Sequence, residues 1–96
     1  MRLYLVRHAE AAPGSPDELR PLTEAGRRAA RELGSRLASE GAVDAVVTSP
    51  LLRARETAAE LCRSLDCAPE TDERLAPGAT AEDVLATVAE RYPSAP

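Results

Sequence analysis

Residues 42–58 read AVDAVVTSPLLRARETA, and this stretch decides the fold. Its first seven residues, apolar except for Asp44 and Thr48, predict a strand. Ser49 and Pro50 follow at once. A serine hydroxyl in front of a proline is the signature of a helix start, with Ser49 as N-cap and Pro50 in the first helical position. The helix then runs through Leu51, Leu52, Ala58, Leu61, Cys62 and Leu65. A strand passing directly into a helix is half of a βαβ unit, so a parallel sheet is expected.

The pattern repeats on both sides. Upstream, Leu3 to Val6 (LYLV) form a short apolar run that predicts a first strand. A long loop follows, with Pro13, Gly14, Pro16 and Pro21. Thr23 then caps a helix reaching about Glu40, with Ala25, Ala29, Leu33 and Leu37, together with Ala30, as its apolar stripe. Gly41 stands where a helix-ending glycine belongs. Gly26 and Gly34 count against this helix, each by about 1 kcal/mol relative to alanine. Downstream, residues 70–75 form a weaker strand and residues 81–92 a third helix. Val84, Leu85 and Val88 supply the apolar face of that helix, and Pro93 closes it. The order β-α-β-α-β-α predicts an α/β fold with right-handed crossovers.

The bulk numbers narrow the function. Ninety-six residues make one small domain. A chain of that size buries only about 60–65% of its unfolded surface, so its stability is marginal. Phe and Trp are absent and Tyr4 and Tyr92 are the only aromatics, which disfavours base-stacking platforms. The formal charge is −4, from 16 acids and 12 bases, all of them arginine. That balance argues against nucleic acid or an anionic membrane as partner. Cys62 and Cys67 with a single histidine cannot complete a tetrahedral zinc site, and they are expected to be two reduced thiols. No apolar run approaches the ~20 residues of a membrane span. A cytoplasmic protein with no cofactor is the expectation.

Ligands of open parallel sheets sit beyond the carboxyl ends of the strands. Arg7 and His8 end the first predicted strand. Ser49 and Arg53 lie at the end of the second and in the first turn of its helix. Two guanidinium groups can hold phosphate oxygens in paired hydrogen bonds, and a helix N-terminus adds free N–H groups. Neutral imidazole has one bare nitrogen that can attack phosphorus, giving a phosphohistidine. The other ring nitrogen needs a hydrogen bond to fix the tautomer, and a backbone carbonyl is the expected partner. Neighbouring cations would favour the neutral, nucleophilic ring. Metal is not required where arginines neutralise the transferring phosphoryl group. Taken singly, a lone histidine and a lone helical arginine are more often structural or solvated. Spacing alone leaves catalysis and a bland reading about even.

Three motifs carry a resemblance. VRHAEA (residues 6–11) resembles the RHG signature of the histidine phosphatase, or phosphoglycerate mutase-like, superfamily. RPLTEAG (residues 20–26) and VVTSPLLRARETA (residues 46–58) are similar to the SixA-type phosphohistidine phosphatases. The likeness covers essentially the whole chain. It implies a three-layer α/β/α fold with strand order 3-2-1, His8 as the phosphorylated nucleophile, Arg7 and Arg53 binding the phosphoryl group, and Arg20 lining the pocket. It implies as substrate phosphohistidine on a protein, with small phosphate esters as another possibility. The chain has Ala9 where the signature has glycine.

One departure matters more. The family's pocket has a second histidine, on a later strand resembling VLLVGH, and this sequence has none. That strand pairs with strand one in the family. Residues 1–96 are therefore expected to be an amino-terminal, incomplete portion of one such domain, with the 3–6 strand left as an open edge. A phosphate-binding or interaction module without turnover is the competing reading. Glu10, Asp72 and Glu73 are carboxylates near the rim, none of them assignable as a general acid. Oligomeric state is not legible.

Overall fold

The structure is a computed structural model, and it describes residues 4–6 and 8–93. Helix α1 spans Glu24–Glu40, strand β1 Val46–Thr48, helix α2 Leu52–Leu65, strand β2 Pro69–Thr71 and helix α3 Ala81–Arg91. Short 3-10 turns occupy Asp17–Leu19 and Glu73–Leu75. The molecule is α/β, as the sequence pattern predicts. Its two strands are parallel, with Val46 opposite Pro69 and Thr48 opposite Thr71. The crossover between them is α2. The Asp72 amide extends the pairing by donating to the Thr48 carbonyl at 2.9 Å.

Both strands are shorter than the sequence suggests. The 42–48 run pairs only from Val46, and the 70–75 run turns into the 3-10 segment after Thr71. Asp72 explains the second change. Its carboxylate accepts from the Arg74 amide, which bends the chain out of the extended form.

The first predicted strand is a correction. Residues 4–6 form no strand, and Tyr4, Leu5 and Val6 are 38%, 76% and 41% exposed. Leu3 lies outside the described residues. Of the order 3-2-1, the pairing of the second and third predicted strands is present, and among the described residues no third strand joins them. A strand buried on both faces needs a cover on each. Here residues 4–6 instead border an open cavity of about 1120 Å³, which Val46 and Val47 of β1, Leu61 of α2 and Val84 and Val88 of α3 also line.

The packed part of the molecule is the α1–α2 pair. Leu37, Leu61 and Leu65 form its centre, with Leu33, Val43, Val46 and Cys67 against them. The stripe on α1 differs from the expected one. Ala25 and Ala29 are exposed, while Gly26, Ala30, Gly34 and Leu37 are buried. The two glycines that count against the helix are points of close backbone approach, Gly26 to Glu10 and Gly34 to Leu61. A Cβ on Gly34 would stand 2.8 Å from the Leu61 carbonyl oxygen, so only hydrogen lets the two helices approach this far.

Capping follows the sequence reading at α1, departs from it at α2, and at α3 is supplied by a pair that reading did not name. Thr23 accepts from the Gly26 amide at the start of α1, and Thr80 and Asp83 form a reciprocal capping box on α3. Helix α2 begins at Leu52 with Leu51 as N-cap and no side-chain cap. Ser49 and Pro50 therefore precede the helix rather than open it. The Pro50 carbonyl is taken up by the Arg55 Nε donor at 3.0 Å. On α3, Val84 and Val88 are half-buried as expected, but Leu85 is exposed and Thr87 takes the buried position.

Candidate functional site

Arg53 is the second residue of α2, and its side chain is 11% exposed. From there its Nε donates to His8 Nε2 at 3.3 Å. The other ring nitrogen, Nδ1, lies 2.8 Å from the Ala9 carbonyl oxygen. A carbonyl only accepts, so the proton sits on Nδ1 and the lone pair is on Nε2. The expected backbone partner is thus present, and the unprotonated nitrogen faces a guanidinium 45 residues away in sequence.

The loop that carries His8 is held by two side chains of α2. Thr57 Oγ1 accepts from the Ala9 amide at 3.0 Å and donates to the Arg53 carbonyl at 2.7 Å. Glu56 accepts from the Leu22 amide at 2.8 Å and from Arg27 at 3.1 Å. On the far side of the loop, the Thr23 amide donates to the Glu10 carbonyl and the Ala12 amide to the Pro21 carbonyl. Residues 9–12 and 21–23 are thereby zipped together, which positions His8 over the first turn of α2.

Asp17 joins the arginines. Its carboxylate accepts from Arg20 at 3.0 Å and from Arg53 at 3.2 Å, and its backbone carbonyl accepts from Arg53 at 2.9 Å. Arg20 also donates to the Ala12 carbonyl at 2.9 Å. The hydrogen bond from Arg20, and then that from Arg53, hold the Asp17 carboxyl below its ordinary range. Asp17 is an exposed carboxylate on the donors that an oxyanion would use.

The predicted residues fall out as follows. His8 and Arg53 meet, and Arg20 reaches the same cluster through Asp17. Arg7 lies outside the described residues. Ser49 lines the cavity together with His8 and Thr57 but does not cap α2. Glu10 is tied to the Thr23 hydroxyl at 2.7 Å. Asp72 is committed elsewhere. It accepts from Arg74 and from Arg91, both at 2.9 Å, and hydrogen bonding, chiefly from Arg74, holds it far below the ordinary carboxylate range. That excludes it as a general acid near neutral pH.

Asp17, Glu56 and Thr57 are contributors the sequence reading missed. For the last two a signal existed: they stand three and four residues after Arg53, on its face of the helix. Asp17 offered none, since nothing in the sequence folds its loop over the arginines.

The chain matches the model of the histidine phosphatase superfamily, branch 1, over residues 3–96. It is 38% identical to an uncharacterised protein of Picosynechococcus over 101 aligned residues, covering all of this chain and 61% of the relative. Among solved structures, it resembles a protein designated phosphohistidine phosphatase SixA from Nakamurella multipartitia, with 37% identity and a TM-score of 0.78. That match covers 88% of this chain and 48% of the other. A protein histidine phosphatase SixA complexed with tungstate matches at 28% identity and TM-score 0.79, over 90% of this chain and 58% of that one. A similarly designated SixA from Agrobacterium tumefaciens gives 26% and 0.76. The chain spans about half to three-fifths of the length of these relatives.

Proposed function

The chain belongs to branch 1 of the histidine phosphatase superfamily, and from that premise we propose that it carries the phosphoryl-accepting rim of a phosphohistidine phosphatase. His8 is the nucleophile. Its Nε2 lone pair attacks phosphorus, the bond from phosphorus to the substrate's imidazole nitrogen breaks, that nitrogen takes a proton from solvent, and a phosphohistidine forms on His8. Water then attacks that phosphorus, gives a proton to solvent and releases inorganic phosphate, returning the lone pair to Nε2. Arg53 and Arg7 hold the phosphoryl oxygens, and Arg20 lines the approach. The carrying observation is the His8 ring itself, with its proton turned to Ala9 and its bare nitrogen against Arg53.

Binding has a local consequence. Each of the three guanidinium nitrogens of Arg53 donates to His8 or Asp17 in the free chain. A tetrahedral oxyanion displaces the Asp17 carboxylate and exchanges one ion pair for another of higher charge. The tungstate complex of a SixA relative supports an oxyanion of this shape. We read residues 1–96 as part of a single domain in which further polypeptide of the kind the longer relatives contain closes the cavity beside β1.

The test is phosphoryl transfer from phosphoramidate. The expected product is an acid-labile, base-stable label that His8→Gln abolishes. Equal labelling of His8→Gln removes His8 as nucleophile. A second reading, a phosphate-binding module without turnover, is favoured by the single histidine in the chain. Tungstate binding with neither label nor phosphate release supports it. Hydrolysis of small phosphate esters at rates above those for phosphohistidine peptides replaces the proposed substrate class.

A further inference from the structure

Cys62 lies in the last turn of α2 and Cys67 between α2 and β2. In an uninterrupted helix, residues five apart point about 140° away from each other. Here the helix ends first. Asp66 adopts the left-handed conformation, at φ 55° and ψ 45°, and its amide closes back on the Cys62 carbonyl at 3.2 Å. That turn carries Cys67 back over the helix, and its Sγ comes to rest 3.5 Å from the Cys62 Sγ. Both are free thiols. The gap is a van der Waals contact that small side-chain rotations close to bonding.

We propose that Cys62 and Cys67 form a redox modification site, a dithiol that a low-molecular-weight disulfide converts to an intrachain disulfide. The bond ties the end of α2 to the approach to β2. Exposure sets the order of events. Cys67 is half-buried and Cys62 buried. The Cys67 thiolate attacks one sulfur of the reagent, whose S–S bond breaks, leaving a mixed disulfide on Cys67 and one released thiolate. Cys62 then gives its proton to solvent and attacks the Cys67 sulfur, expelling the second thiolate. The protein loses two electrons and two protons, and the reagent gains them as two thiols. Burial, and then the neighbouring sulfur, push the Cys62 thiol up to about 12. The inference is independent of the phosphatase reading.

The experiment incubates the reduced chain under native conditions with glutathione disulfide in excess over glutathione, quenches with acid, and reads thiol content and intact mass. The expected product is a monomer with no free thiol and no glutathione attached. Cys62→Ser is expected to stop as a glutathione adduct on Cys67. Repeating the titration in urea separates fold from local sequence. The equilibrium constant for disulfide formation is expected to fall at least about tenfold in the unfolded chain, where the Asp66 turn is lost. Two persistent thiols, a lasting glutathione adduct on the parent, covalent dimers, or equal equilibrium constants in the two solvents would each overturn the proposal.

Discussion

Replacing Thr57 by valine tests how the His8 loop is held. The change keeps the shape of a side chain that is 5% exposed and removes one oxygen. That oxygen has two bonds, accepting from the Ala9 amide at 3.0 Å and donating to the Arg53 carbonyl at 2.7 Å. Thr87 provides an internal control. It is 3% exposed, sits in α3, and makes the same backward bond, to the Asp83 carbonyl at 2.7 Å. Losing the backward bond alone costs little, about 1 kcal/mol or less, because the carbonyl keeps its helical partner and the new methyl is buried. Thr57→Val also strands the part-buried Ala9 N–H, at a further cost of about 1–3 kcal/mol. The difference between the two variants is thus about 1–3 kcal/mol. At a urea slope of about 1–1.5 kcal/mol/M, the Thr57→Val midpoint lies about 0.7–3 M below that of Thr87→Val. Amide exchange, read by NMR, should quicken at Ala9 in the first variant and remain unchanged there in the second. Equal midpoints with Ala9 exchange unaltered in both would refute the claim that Thr57 anchors the loop.

Three further outcomes are expected. Gly34→Ala should destabilise by about 1–2 kcal/mol in urea titration, although alanine favours the helix by about 1 kcal/mol, because the new methyl meets the Leu61 backbone and not a movable side chain. Asp72 has a folded pKa lowered first by its bond to Arg74. Its contribution is therefore present above the unfolded value of about 3.9 and is lost as pH falls through the folded value; Asp72→Asn should remove that part of the acid limb in stability measured against pH. Asp17→Asn should bind tungstate about two- to fivefold more tightly by calorimetry, since it removes an exposed carboxylate competing for Arg20 and Arg53, and weaker binding would show that Asp17 orders the arginines instead.

The sequence was most legible where chemistry is local. Gly41 and Pro93 bound helices through their own backbone preferences, and Thr23 through a hydroxyl that accepts from an amide three residues on. His8 and Arg53 meet at the start of α2, but His8 is carried there by a loop held by Thr57 and Glu56 and not by a strand end. What escaped the sequence depended on partners distant in the chain. Gly26 and Gly34 read as helix weaknesses because hydropathy patterns do not register close backbone approach. Ser49 read as a cap because its hydroxyl and the following proline suit one, yet the helix starts at Leu52. The 3–6 run read as a strand because its residues are apolar. Apolar residues specify a strand only when a neighbour and two covers are supplied, and residues 4–6 face an open cavity instead. The Cys62–Cys67 contact depends on one left-handed residue, Asp66, whose conformation no periodicity announces.

The most direct measurement is the ring position of phosphate on His8. Chain labelled with ¹⁵N in its one histidine, treated with phosphoramidate and examined by ³¹P and ¹⁵N NMR, should show phosphorus coupled to Nε2, with Nδ1 still bearing its proton. Phosphorus on Nδ1, or a histidine left unmodified while phosphate is released, would contradict the arrangement in which Ala9 holds one nitrogen and Arg53 faces the other.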